Sequence, residues 1–175
     1  MAGLIRIEVM HGVNLDMLGK REPEHYGAFT LDELERQIEG FASELGVETR
    51  FFHTNFEGEY VEHLHSLREL VDAVVLNPGA WSHYAWAIHD ALAIAALPAV
   101  EVHLSDVKAR EPWRQLSVIE DLCVASICGK GIEGYRLALT RLRDELGGAG
   151  ELDGGSEESG SEGLDGRPEA EGRDA

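Results

Sequence analysis

The chain has 175 residues, 43% of them hydrophobic, and a formal net charge of −18 from 33 acidic and 15 basic residues. That size and composition fit one globular domain with a core of its own, with no need of disulfides or a structural metal. The acidity argues against nucleic acid as a partner, and no stretch is long and apolar enough for a transmembrane helix.

Residues 4–10 (LIRIEVM) read as a first strand. The helix that follows is expected over 30–45, opened by Thr30 and Glu33 as a capping box. The connection between them, HGVNLDMLGKREPEHYG, occupies residues 11–27, whereas strand-to-helix links usually take about two to six residues. Gly19 and Gly27 flank Arg21, Pro23 and Tyr26, so the segment reads as a lid that closes over a ligand. Tyrosine is a poor base at its ordinary pKa of about 10, but a nearby guanidinium favours the phenolate. A second strand is expected over 47–53 and a helix over 59–70. The His63-Leu64-His65 motif inside that helix is a weak metal signal, because residues two apart on a helix point in different directions. No metal is expected there or elsewhere.

A third strand is expected over 72–77, a helix over 82–95 and a fourth strand over 99–104. Residues 108–120 are a loop or short helix. A fifth strand over 122–128 contains the two cysteines, Cys123 and Cys128, which read as reduced core thiols. The last helix is expected over 132–146, ending at the Gly147-Gly148 pair. Its entry, GKGIEG, has the spacing of a dinucleotide fingerprint. No further strand completes the unit, so it reads as a tight turn with close helix-sheet packing. From residue 147 the chain is rich in glycine, glutamate and serine, with almost no large apolar side chain. The division is therefore one domain over 1–146 and a disordered acidic tail over 147–175. The N-terminus, MAGLIRIEV, lacks a basic segment and cleavage site, and a soluble cytoplasmic protein is expected.

Short, nearly continuous apolar strands alternating with helices imply an α/β fold with a five-stranded parallel sheet covered on both faces. Ligands of such sheets bind beyond the carboxyl ends of the strands. His11, Gly12 and Asn14 fall there, then Thr54, Asn55 and Glu57, then Asn77, then His103 and Ser105. Arg110 and Arg114 follow in KAREPWRQLS, local positive charge in an acidic chain that suits a negative ligand or a phenolate. Tyrosine, histidine, arginine and asparagine on one rim suit proton abstraction beside a carbonyl, with a second group protonating a leaving hydroxyl. Residue chemistry alone does not choose the substrate.

Four segments are similar to the type II 3-dehydroquinate dehydratases: HGVNLDMLGKREPEHYG, NPGAWSHYAWAIHDAL, PAVEVHLSDVKAREPWRQLS and GKGIEGYRLAL. The resemblance covers roughly residues 4 to 146. It implies a flavodoxin-like three-layer sandwich and cofactor-free loss of water from 3-dehydroquinate, a small anionic substrate, through an enolate. It implies Tyr26 as base, Arg21 as the lid arginine and His103 as the acid, with Glu101 holding His103. Asn14 would orient a water on the enolate oxygen. Asn77, Leu104 and Ser105 would form the carboxylate pocket, the last two through backbone N–H groups. His83 and Arg114 would bind ring hydroxyls, Arg110 would lie beside the tyrosine, and Asp90 would reach a neighbouring subunit's site. Similar proteins form trimers assembled into dodecamers. Val13, Phe56, His89, Asp106 and Leu116 depart from the family pattern, which marks a divergent member. None of them removes a proton-transfer group.

Two other classes compete. A flavodoxin-like module for flavin or nucleotide would need a phosphate loop after the first strand, which HGVNLDMLG lacks. A catalytically weakened paralogue has no reason to keep Arg21, Tyr26 and His103 together. Both shikimate-pathway synthesis of aromatics and quinate breakdown fit the reaction.

Overall fold

The computed structural model describes residues 3–20 and 28–149. Arg21, Tyr26 and the central part of the expected lid, and residues 150–175 of the expected tail, lie outside the described residues. Strands β1 (Ile5–His11), β2 (Val47–His53), β3 (Ala73–Asn77), β4 (Ala99–His103) and β5 (Ala125–Cys128) form one parallel sheet in the order β2-β1-β3-β4-β5. This is the flavodoxin-like order, with its switch point between β1 and β3.

The helices are α1 (Leu31–Leu45), α2 (Glu57–Ser66), α3 (Trp86–Ala95) and α4 (Glu133–Ala149). Strand alternation sorts the core into two layers. Ile7, Val9, Ala73, Val75, Val100 and Val102 pack with Leu34 and Ile38 of α1 and with Tyr135 and Leu139 of α4. Met10, Val74, Leu76 and Ala99 pack with Tyr60 and Leu64 of α2 and with Ile88 and Leu92 of α3. The same parity sends Asn77 and His11 toward the α1/α4 layer, and Glu101 and His103 toward the α2/α3 layer.

The Thr30–Glu33 capping box forms as expected. Several element boundaries differ from expectation. The helix expected from residue 82 breaks into a 3-10 turn (Gly79–His83) and α3. The Ser82 carbonyl accepts from the Val118 N–H at 2.7 Å and is lost to the helix. The helix expected from residue 59 starts at Glu57, because Thr54 turns the chain by accepting from the Phe56 N–H at 3.0 Å. It ends at Ser66, whose hydroxyl donates to the His63 carbonyl at 2.7 Å. Helix α4 continues through Gly147 and Gly148; Gly147 does not adopt the left-handed conformation that would end it.

The fifth strand is shorter than expected. It is an edge strand that begins at Ala125, after a 3-10 turn (Glu120–Leu122), so Cys123 precedes it and both thiols are only partly buried. Desolvation still pushes the Cys123 thiol up to about 12, which keeps it protonated. The turn reading of GKGIEG fits the packing: a Cβ on Gly134 would sit 3.4 Å from Val102 Cγ1, and one on Gly129, at φ +69, 2.8 Å from Asp106 Cβ. His63 is taken up by the fold: its Nε2 lies 2.7 Å from the buried Glu8 carboxylate and its ring stacks on Phe52. Among the described residues no group of three or more His, Cys, Asp and Glu could hold a metal ion, and no helix is long and apolar enough to cross a membrane.

Candidate active site

Register brings the carboxyl ends of three central strands level. His11 pairs with Asn77, and Leu76 with Glu101 two residues before His103. Above them opens a cleft lined from the β1 loop by Val13 and Asn14, from the β3 turn by Asn77 and His83, and from β4 onward by His103, Leu104, Ser105 and Arg114.

The β1 loop reaches the cleft through a close approach that only glycine permits. A Cβ on Gly12 would stand 2.4 Å from the Pro78 carbonyl oxygen. Gly12 instead donates its N–H to the Asn77 carbonyl at 2.8 Å. Asn14 then turns the chain in the left-handed region, φ 66, a conformation asparagine tolerates better than most residues. Its N–H is held at 2.7 Å by the Asn55 side-chain oxygen.

The floor of the cleft is polar and uncharged. Asn77 donates through Nδ2 to Tyr135 Oη at 2.9 Å and accepts from the Gly79 N–H at 3.3 Å. One amide hydrogen and one lone pair are left for a ligand. Burial raises the Tyr135 pKa, and desolvation with the neighbouring His53 lowers that of His11 to about 3, so both are neutral.

The wall carries the titratable groups. His103 Nε2 lies 2.8 Å from Oε1 of Glu101, which is fully buried. The carboxylate fixes which ring nitrogen of His103 faces inward and so the orientation of the imidazole. The second ring nitrogen of His103 remains to exchange a proton. His83 stacks on His103, centroids 5.9 Å apart, and donates from Nδ1 to the Leu116 carbonyl at 2.7 Å. Burial lowers its pKa above all, with His103 and Arg114 acting in the same direction, so the ring is neutral with Nε2 left over. Arg114 packs its guanidinium over Trp113, 4.1 Å from the ring centre, and donates Nε to Glu111 at 2.8 Å. Among the described residues the adjacent N–H groups of Leu104 and Ser105 have no acceptor. Two neighbouring backbone donors at a strand end make a seat for an anion.

Of the residues expected at the site, Asn14, Asn77, His83, His103, Leu104, Ser105 and Arg114 line this cleft. Glu101 and Arg110 do not line it: Glu101 contacts His103 at 2.8 Å, and Arg110 lies 3.6 Å from Glu111. Asp90 does not line it: its side chain is 81% exposed on α3. Four rim residues read from the sequence take other places, Glu57 among them as the first residue of α2. His11 is fully buried under the floor, Thr54 is occupied by Glu59, and Asn55 supports Asn14 from behind. Tyr135, Ser117 and Ser126, which contact Asn77 or Glu101, had no signal in spacing or residue type. Their partners are far away in sequence.

A family model described as Dehydroquinase class II matches residues 5–143. The chain is 50% identical over 135 residues to the 3-dehydroquinate dehydratase of Syntrophotalea carbinolica, covering 77% of this chain and 91% of that protein. The crystal structure of the type II dehydroquinase of Butyrivibrio crossotus matches with a TM-score of 0.77 at 35% identity, over 79% of this chain and 97% of that one. That of Propionibacterium acnes matches with a TM-score of 0.76 at 38% identity, over 81% and 99%.

Proposed function

The chain belongs to the class II dehydroquinase family, and from that membership we propose that the cleft above β1, β3 and β4 carries the reaction, with His103 as acid and Tyr26 as base. The enzyme is a lyase of the shikimate pathway that removes water from 3-dehydroquinate. The observation that carries the assignment of the site is the buried Glu101–His103 pair, 2.8 Å apart, set beside the N–H groups of Leu104 and Ser105, which have no acceptor among the described residues.

The substrate's carboxylate sits on those N–H groups and on Asn77. His83 and Arg114 hold ring hydroxyls. Tyr26, as phenolate, removes a proton from the carbon beside the ketone, and the electrons pass into an enolate whose oxygen meets a water held by Asn14. The enolate collapses and the carbon–oxygen bond to the leaving hydroxyl breaks. His103 gives that hydroxyl its proton, so it departs as water, and Glu101 balances the imidazolium before transfer. Arg21 and Arg110 favour the phenolate over the phenol. The roles of Tyr26 and Arg21 follow from the family pattern of their loop. The test is the enone absorbance formed from 3-dehydroquinate by purified protein; no absorbance change under conditions where the protein is folded refutes the reading.

Assembly belongs to the same proposal. Asp90 completes a neighbouring subunit's site, and trimers pack into a dodecamer. Asp90 is exposed on the helix that also presents Trp86 and Ile94 to solvent, 60% and 61% exposed, with Tyr84 just before it at 59%. Large apolar side chains grouped on one surface mark a contact face. Light scattering is expected to give a mass that is a multiple of three chains. An active monomer at assay concentration contradicts it.

A further inference from the structure

We infer that residues 116–118 are a strap that positions both cleft histidines, with Ser117 as the positioning residue for the Glu101–His103 pair. The three residues act in succession. The Leu116 carbonyl accepts from His83 Nδ1 at 2.7 Å. The Ser117 hydroxyl lies 2.9 Å from Oε1 and 2.8 Å from Oε2 of Glu101. The Val118 N–H donates to the carbonyl of Ser82, next to His83, at 2.7 Å.

The direction of the Ser117 hydroxyl is determined by its surroundings. Its oxygen accepts from the Ile119 N–H at 3.3 Å, so its one proton is turned toward the carboxylate. Glu101 is fully buried, and a buried carboxylate keeps its charge only with donors around it. Besides His103 it has Ser117 and, at 3.4 Å, the Ser126 hydroxyl. Ser117 is the closer serine and spans both oxygens, which sets the rotation of the carboxylate and so the direction in which Oε1 faces His103 Nε2. The tilt of 15° between the two imidazoles is thus fixed from one stretch of backbone. The bond to His83 uses the carbonyl of Leu116, and the Leu116 side chain is exposed. That explains why the family departure at this position is compatible with an intact site.

This rests on His103 being the acid, so the experiment measures kcat and KM on 3-dehydroquinate for wild type, His103→Ala, Ser117→Ala, Ser117→Thr and Ser126→Ala together. Ser117→Ala is expected to lose about 10- to 100-fold in kcat, the scale of a hydrogen bond to a buried charge, with KM within about twofold because the carboxylate seat is untouched. Ser117→Thr restores the hydroxyl and most of the rate, and Ser126→Ala loses less than Ser117→Ala. The inference is overturned if Ser117→Ala keeps kcat within about twofold, if its loss appears in KM, if threonine does not rescue, or if Ser126→Ala is the worse variant. Near-wild-type turnover in His103→Ala would instead remove the acid assignment beneath it, so the two failures are distinguishable.

Discussion

His103→Ala is expected to lower kcat by about 10²- to 10⁴-fold, the range for loss of a general acid, with a much smaller change in KM. The imidazole touches the departing hydroxyl in this account, whereas substrate is held by Asn77, Arg114 and the N–H groups of Leu104 and Ser105. The variant is also expected to lose stability. Glu101 keeps the hydroxyls of Ser117 and Ser126 but loses its 2.8 Å histidine partner. Breaking a buried charged pair costs about 3–5 kcal/mol when nothing else satisfies the remaining charge, so the loss is expected below that figure. Steady-state turnover and chemical denaturation of the same preparation check both parts.

Tyr26→Phe is expected to cost at least about 10²- to 10⁴-fold in kcat, with folding and KM little changed, because the substitution removes one oxygen and no carbon. As the proposed base, the tyrosine would act as phenolate, a form that Arg21 and Arg110 would favour if they lie beside it as the family resemblance implies. On that proposal a neighbouring cation would lower the tyrosine pKa, so activity is expected above the lowered pKa and lost below it. Removing a cation moves that limit toward the ordinary value of about 10.

How much of this was readable in the sequence depends on the distance over which each interaction acts. The Thr30–Glu33 box closes within one turn, and the apolar runs of β1, β3 and β4 are buried on both faces, so strand positions and the placing of His103 to Ser105 at the cleft followed from local pattern. Alternation also tells that Glu101 and His103 share a face, since they are two apart on one strand. It does not tell which layer covers that face. His11 for this reason turned up beneath the floor, against Tyr135 and Phe51, when its place at a strand end suggested the rim.

The unreadable parts are the long-range polar contacts. Asn77 meets Tyr135 across 58 positions, and Glu101 meets Ser117 across 16 and Ser126 across 25. Nothing about a lone serine or a tyrosine in a helix signals such a partner. The break before α3 has the same origin: a carbonyl at Ser82 taken by Val118 overrides a helical pattern that continues through the site. The family resemblance supplied roles for Tyr26 and His103 that composition and spacing left open. It left Ser117 without a role, and that came from the bonds around Glu101.

The most direct test of the central claim, that a lid phenolate starts the reaction, is the pH dependence of kcat for Arg21→Ala beside Tyr26→Phe, followed by enone absorbance at saturating 3-dehydroquinate. The account predicts that Arg21→Ala is slow near neutrality and recovers as pH rises and the phenol ionises, while Tyr26→Phe stays slow at every pH. Near-wild-type turnover in Tyr26→Phe, or equal recovery of both variants at high pH, would contradict it.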